Sequence, residues 1–207
     1  LNVTKIYIID DQAAVRDAIA EMLSVFGFTA ETFESAEDFL NREQAQQSAE
    51  PGCVVCDVRM PGIDGIELVR QSQTAGKQIP IILISGHADV PMAVAGIKAG
   101  AADFIEKPID DASLVAAINR AIAPQMKPDS DVRRGQDIEQ KFSRLTPRQI
   151  EVFDLVVAGF TSHAIGEKLT LSTRTVESYR AQIMEKMAAE SVAILVRQAI
   201  QLRRTVP

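Results

Sequence analysis

Residues 6–11 read Ile6-Tyr7-Ile8-Ile9-Asp10-Asp11, and residues 53–57 read Cys53-Val54-Val55-Cys56-Asp57: a short apolar run, then carboxylates. Two further runs behave alike, Ile79 to Ile84 ending at Ser85, and Phe104-Ile105 followed closely by Lys107. Continuous apolar runs this short, separated by amphipathic helical stretches, are the pattern of parallel strands buried on both faces. In such sheets the chemistry gathers just beyond the carboxyl ends of the strands. Asp10, Asp11, Asp57, Ser85 and Lys107 are therefore expected along one edge of one sheet. Three carboxylates converging there repel one another unless a cation neutralises them. Magnesium fits, because it accepts one or two carboxylates together with waters and phosphate oxygens.

Working outward, the first half of the chain alternates strand and helix five times. Strands are predicted at Lys5 to Asp10, Thr29 to Phe33, Cys53 to Cys56, Ile79 to Ser85 and Asp103 to Glu106. Helices are predicted at about Ala13 to Phe26, Ala36 to Arg42, Gly65 to Ala75, Val90 to Ala99 and Ala112 to Ala121. That alternation predicts an α/β doubly wound, five-stranded parallel sheet with helices on both faces. Gly27, Gly76 and Gly100 follow helices, where a left-handed cap belongs.

Residues 124–143 turn polar and charged, with Pro124 and Pro128, and are read as a linker. Ile138, Phe142 and Leu145 at helical spacing make its later part a helix. Residues 144–207 carry no strand signal. Thr146-Pro147-Arg148-Gln149 is a capping box with proline at the first helical position, and the helix it opens stops at Gly159. Helices from Ser162 to Leu169, from Ser172 to about Met187, and from Ser191 to about Arg203 follow. Four small helices with a tight connection between the second and third form a helix-turn-helix layout. On the third, Val176, Tyr179, Ile183 and Met187 lie on one apolar stripe, which turns Arg174, Glu177, Ser178, Ala181, Gln182 and Glu185 outward.

Charge is uneven: residues 1–123 hold 9 Lys+Arg against 18 Asp+Glu (net −9), and residues 124–207 hold 13 against 10 (net +3). Only the second half suits a polyanion. No apolar stretch approaches the ~20 residues of a membrane span and no secretory pattern is read at the start, so a cytoplasmic protein away from membranes is expected. Cys53 and Cys56 have C-x-x-C spacing, but residues three apart on a strand point to opposite faces, which makes them core cysteines and not a redox or zinc pair.

Residues 1–123 resemble the receiver domain of two-component response regulators. The resemblance rests on Asp10-Asp11, Asp57-Val58-Arg59-Met60-Pro61-Gly62, Ser85-Gly86-His87, Phe104 and Lys107-Pro108. It implies a flavodoxin-like sheet of order 2-1-3-4-5. It further implies Asp57 as phosphoacceptor, and magnesium (or manganese) held by Asp10, Asp11, Asp57 and the Arg59 carbonyl. Ser85, Phe104 and Lys107 become the phosphoryl-stabilising and switch residues, Lys107-Pro108 a cis peptide, and His87 a position that tunes phosphoryl hydrolysis or simply a solvated loop residue. A phosphatase of the haloacid-dehalogenase type needs a second aspartate two residues past its nucleophile as general acid. Here that position is Arg59, so a phosphoryl-accepting switch and not an enzyme is expected.

Residues 145–205 resemble the LuxR-type helix-turn-helix of the NarL/FixJ subfamily, on Leu145 to Gln149, Val156 to Gly159, Ile165 to Leu169, Leu171 to Glu177 and Lys186-Met187. Gln149 stands where the family usually has glutamate, and Tyr179 where it has histidine. The expected DNA-facing residues are Thr173, Arg174, Thr175, Glu177, Ser178 and Ala181, with Arg180 and Lys186 placed for phosphates. The implied partners are a sensor histidine kinase in a phosphorelay, double-stranded promoter DNA, RNA polymerase, and a second copy of the chain when phosphorylated. A phospho-switch whose helical half binds a protein in place of DNA is the alternative reading.

Overall fold

Pro80 sets where the fourth strand begins. It has no N–H to give to a ladder, so it contributes only its carbonyl, which accepts from Val54 N–H at 2.9 Å, and regular pairing starts at Ile81 and not at Ile79. The computed structural model describes residues 5–45, 52–75, 79–86, 90–123 and 128–202, without the side chains of 43–45 and 128–134. Its strands are β1 (Lys5–Ile9), β2 (Thr29–Phe33), β3 (Gly52–Asp57), β4 (Ile81–Ser85) and β5 (Asp103–Glu106). They form one parallel sheet of order β2-β1-β3-β4-β5.

The helices interleaved with them are α1 (Ala13–Val25), α2 (Ala36–Ala45), α3 (Gly65–Thr74), α4 (Val90–Ala99) and α5 (Asp111–Ile122). α2 runs past Arg42 because Glu43, Gln44 and Ala45 are good helix formers, with no glycine or proline among them to stop it. Side chains alternate across the sheet. Ile6, Ile8, Cys53, Val55, Ile82 and Ile84 pack with Ile19 and Leu23 of α1 and Leu114 and Ile118 of α5. From the opposite face of β1, Tyr7 meets Phe39 of α2 with ring centroids 5.5 Å apart. Cys53 and Cys56 are buried and unpaired, as the strand period requires. Burial pushes the Cys53 thiol up to about 12.

The remaining helices are α6 (Pro128–Phe142), α7 (Pro147–Ala158), α8 (Ser162–Leu169), α9 (Thr173–Met187) and α10 (Val192–Gln201). α6 starts earlier than its apolar spacing suggests, on a proline that is preformed for a first helical turn. Backbone contacts divide the chain into two compact units, Leu1–Ala88 with Ala99–Ala123, and Asp89–Lys98 with Pro124–Pro207, so α4 groups with the second. In that second unit Phe142 of α6 packs edge-on against Phe153 of α7 at 5.3 Å. The connection between α8 and α9 is tight. Thr170 takes a left-handed φ of 56°, Leu171 N–H donates to the Gly166 carbonyl at 2.8 Å, and a Cβ on Gly166 would sit 2.7 Å from the Leu171 oxygen. Only glycine lets the chain turn that closely.

Candidate functional site

The ladders of the central strands carry one residue further than the strands themselves. Asp10 N–H donates to the Phe33 carbonyl, Val58 N–H to Ile84 and Lys107 N–H to Ser85. These bonds pin Asp10, Asp57, Ser85 and Lys107 to neighbouring positions at the carboxyl edge, where the 2-1-3 strand order opens its crevice between β1 and β3.

Asp10 is fully buried, and Asp57 is 6% exposed. Lys107 bridges them: its Nζ lies 2.7 Å from Asp10 Oδ2 and 2.7 Å from Asp57 Oδ1. Asp10 Oδ1 accepts from Gln12 N–H at 2.9 Å, and Asp57 Oδ2 from Arg59 N–H at 2.6 Å. Every carboxylate oxygen of the pair thus meets a donor, which is what two buried anions need to coexist. Burial works to lower the Lys107 pKa, but the bonds and charges of Asp10 and Asp57 outweigh it and hold the ammonium above its ordinary value. The Lys107–Pro108 peptide is cis. Ser85 is 1% and Phe104 6% exposed, while Asp11 and Arg59 are exposed.

The Asp10 and Asp57 carboxylates supply hard oxygens, the donor type magnesium takes. Among the described residues no three acidic, histidine or cysteine side chains come together as a group that could hold a metal ion, so the edge gathers Asp10 and Asp57 around Lys107 and not the three converging carboxylates expected from the sequence.

The second candidate region is α9. Val176, Ile183 and Met187 are buried, Tyr179 is half-buried, and Thr173, Arg174, Thr175, Glu177, Ser178, Ala181, Gln182 and Glu185 are exposed. Ser172 caps its start by accepting from Thr175 N–H at 3.1 Å.

Residues 6–119 match the response regulator receiver domain, and residues 143–199 match the bacterial regulatory proteins of the luxR family. The chain belongs to the response regulators. It is 41% identical over 196 residues to the transcriptional regulatory protein FixJ of Bradyrhizobium diazoefficiens, across 95% of this chain and 94% of that protein. It is 40% identical over 200 residues to the response regulator protein TodT of Pseudomonas putida, across 96% of this chain and 86% of that one. The crystal structure of full-length FixJ from B. japonicum covers 99% of the chain, with 100% of its own length aligned, at 39% identity and a TM-score of 0.56. This response regulator is therefore a phospho-regulated, DNA-binding regulator of transcription and belongs to a family of regulators.

Two basic residues of the regulator expected to face phosphates are turned inward. Lys186 Nζ donates to the Arg144 carbonyl at 3.0 Å and to Gln149 Oε1 at 2.7 Å, so it bolts α9 to the start of α7. Arg180 is half-buried and donates to Ser162 Oγ at 2.7 Å. Burial lowers its pKa, partly offset by Glu177. The apolar stripe carries no information about what lies beside its flanks, and polar groups of neighbouring helices are within reach of both residues. His87 and Gly76 lie outside the described residues.

Local patterns gave no sign of three other residues. Arg16 Nη1 donates to the Asp10 carbonyl at 2.7 Å, and Glu37 Oε1 accepts from Ile63 N–H at 2.9 Å, tying α2 to the loop that follows Asp57. Arg148 Nη2 donates to the Leu169 carbonyl at 2.6 Å and satisfies the open end of α8 beside the turn into α9. Only Gln149 had a signal in the sequence, as a departure from its family.

Proposed function

We propose that Asp57 is the phosphoacceptor and that its phosphorylation, by a sensor histidine kinase, turns on dimerisation and promoter binding. The observation that carries the reading is the Lys107 bridge, because it pairs a buried nucleophilic carboxylate with a preplaced ammonium. An oxygen of Asp57 attacks phosphorus, its electron pair forms the new P–O bond, and the bond to the donor's leaving group breaks with its electrons. Such a transfer asks for positioning and charge neutralisation more than covalent help. Lys107 follows the charge from carboxylate to phosphoryl oxygen. Asp10, Asp11 and the Arg59 carbonyl would hold magnesium, which supplies further neutralisation. Ser85, at the end of β4, donates its hydroxyl to another phosphoryl oxygen, and Lys107 N–H bonded to the Ser85 carbonyl links that movement to β5 and Phe104.

Homodimerisation follows, slow self-dephosphorylation resets the switch, and the paired α9 helices read two half-sites. The exposed Thr173, Arg174, Thr175, Glu177, Ser178 and Ala181 face the major groove, and the bound dimer meets RNA polymerase in the cytoplasm. Lys186 and Arg180 stiffen the domain from its flanks. Intact mass after acetyl phosphate and magnesium tests the assignment. The wild type gains one phosphoryl group and Asp57→Asn gains none; full phosphorylation of the variant places the nucleophile elsewhere.

A further inference from the structure

Gln149 is 3% exposed, and its Oε1 faces two donors, Thr146 N–H at 2.9 Å and Lys186 Nζ at 2.7 Å. An amide NH2 in that place would meet two donors and accept from neither, so the hydrogen-bond network fixes which end is oxygen. The Nε2 end therefore points at α9, where Gln182 Oε1 accepts from it at 2.8 Å. Gln182 is exposed, one turn beyond Ser178 on the reading side of the helix. With its carbonyl turned back to Gln149, its amide hydrogens face away, and among the described residues they have no protein acceptor.

We propose that Gln149 is a positioning residue for base readout: it holds Gln182 so that the recognition helix presents an amide donor, and not an acceptor, to one base pair. The inference rests on the reading of α9 as the recognition helix. A glutamine free at both ends reads adenine with both of them. Held by its carbonyl, Gln182 selects bases that offer acceptors, guanine through N7 or O6 and thymine through O4, over cytosine, whose groove edge offers an amino donor. Gln149→Glu reverses the polarity. The carboxylate keeps its bonds to Thr146 and Lys186 but has no hydrogen for Gln182. The Gln182 amide then turns half a revolution, donates to the new carboxylate and presents its oxygen outward.

The test is selection from a randomised duplex library by the full-length chain with beryllium fluoride and magnesium. The wild type should enrich guanine or thymine over cytosine at one position per half-site by roughly fivefold, the worth of about one hydrogen bond. Q149E moves that preference to cytosine or adenine, Q182A flattens it, and Q149E adds nothing in the Q182A background. A Gln149 that serves packing alone would weaken binding to all sequences equally, and that result overturns the proposal. Q182A changes only an exposed side chain, so it decides the matter even where Q149E fails to fold: unchanged preference at every position sinks the proposal. Loss of preference on Glu177→Ala with none on Q182A would retain α9 as the reading helix and still refute the role of Gln149.

Discussion

The receiver edge and the recognition helix handle charge in opposite ways. At the edge of the sheet, anions are buried and a single lysine, Lys107, is held between them. On α9 the exposed face is polar, while its flanking cations, Lys186 and Arg180, are consumed by carbonyl, amide and hydroxyl oxygens of other helices. A buried charge must carry its partner with it. An exposed helix face is finished by whatever lies beside it. The first region is a charge balance that an added anion would upset, and the second is a surface whose side chains are tied from behind by neighbouring helices.

Lys107→Ala strikes the comparison hardest. Two buried carboxylates lose their shared ammonium, and the receiver should lose about 3 kcal/mol in urea unfolding without metal. Added magnesium should restore part of this by binding the folded form. The sign with pH follows from the raised Lys107 pKa. The ion-pair contribution is complete below its ordinary value of 10.5 and disappears as pH rises through the higher folded value. Wild-type stability should therefore drop in that alkaline window, and Lys107→Ala should lack this component of the drop.

Gly166→Ala tests the other region. The new Cβ meets the Leu171 carbonyl at 2.7 Å and forces the turn into α9 to shift. About 2 kcal/mol of destabilisation in the helical unit is expected, with duplex binding reduced and intact-mass phosphorylation unchanged. Loss of phosphorylation in that variant would break the separation drawn here. The smallest effect belongs to the cysteines. Burial holds both thiols far from ionisation, so iodoacetamide at pH 8 should leave the folded chain unmodified and should alkylate both after unfolding.

The sheet edge was legible in the sequence because β1, β3 and β4 are apolar runs that end at or just before Asp10, Asp57 and Ser85, whereas β2 is largely polar and exposed. Asp10, Asp57 and Lys107 needed only strand ends to be located, and the family resemblance supplied their roles. Boundaries shifted where a single residue changed the hydrogen bonding, as at Pro80, or where polar residues continued a helix, as after Arg42. Helical spacing correctly separated Val176, Ile183 and Met187 from the exposed face. It could not reveal that Lys186 binds an acceptor 37 residues earlier, because no local period encodes a contact at that distance. Glu37 and Ile63, 26 residues apart, were hidden for the same reason.

The central claim is that the carboxylate site governs the reading helix through Asp57. It is tested most directly by duplex affinity, with and without beryllium fluoride and magnesium, for the wild type and Asp57→Asn. The account predicts tighter binding by the treated wild type and no response in Asp57→Asn. An equal response in both would contradict it.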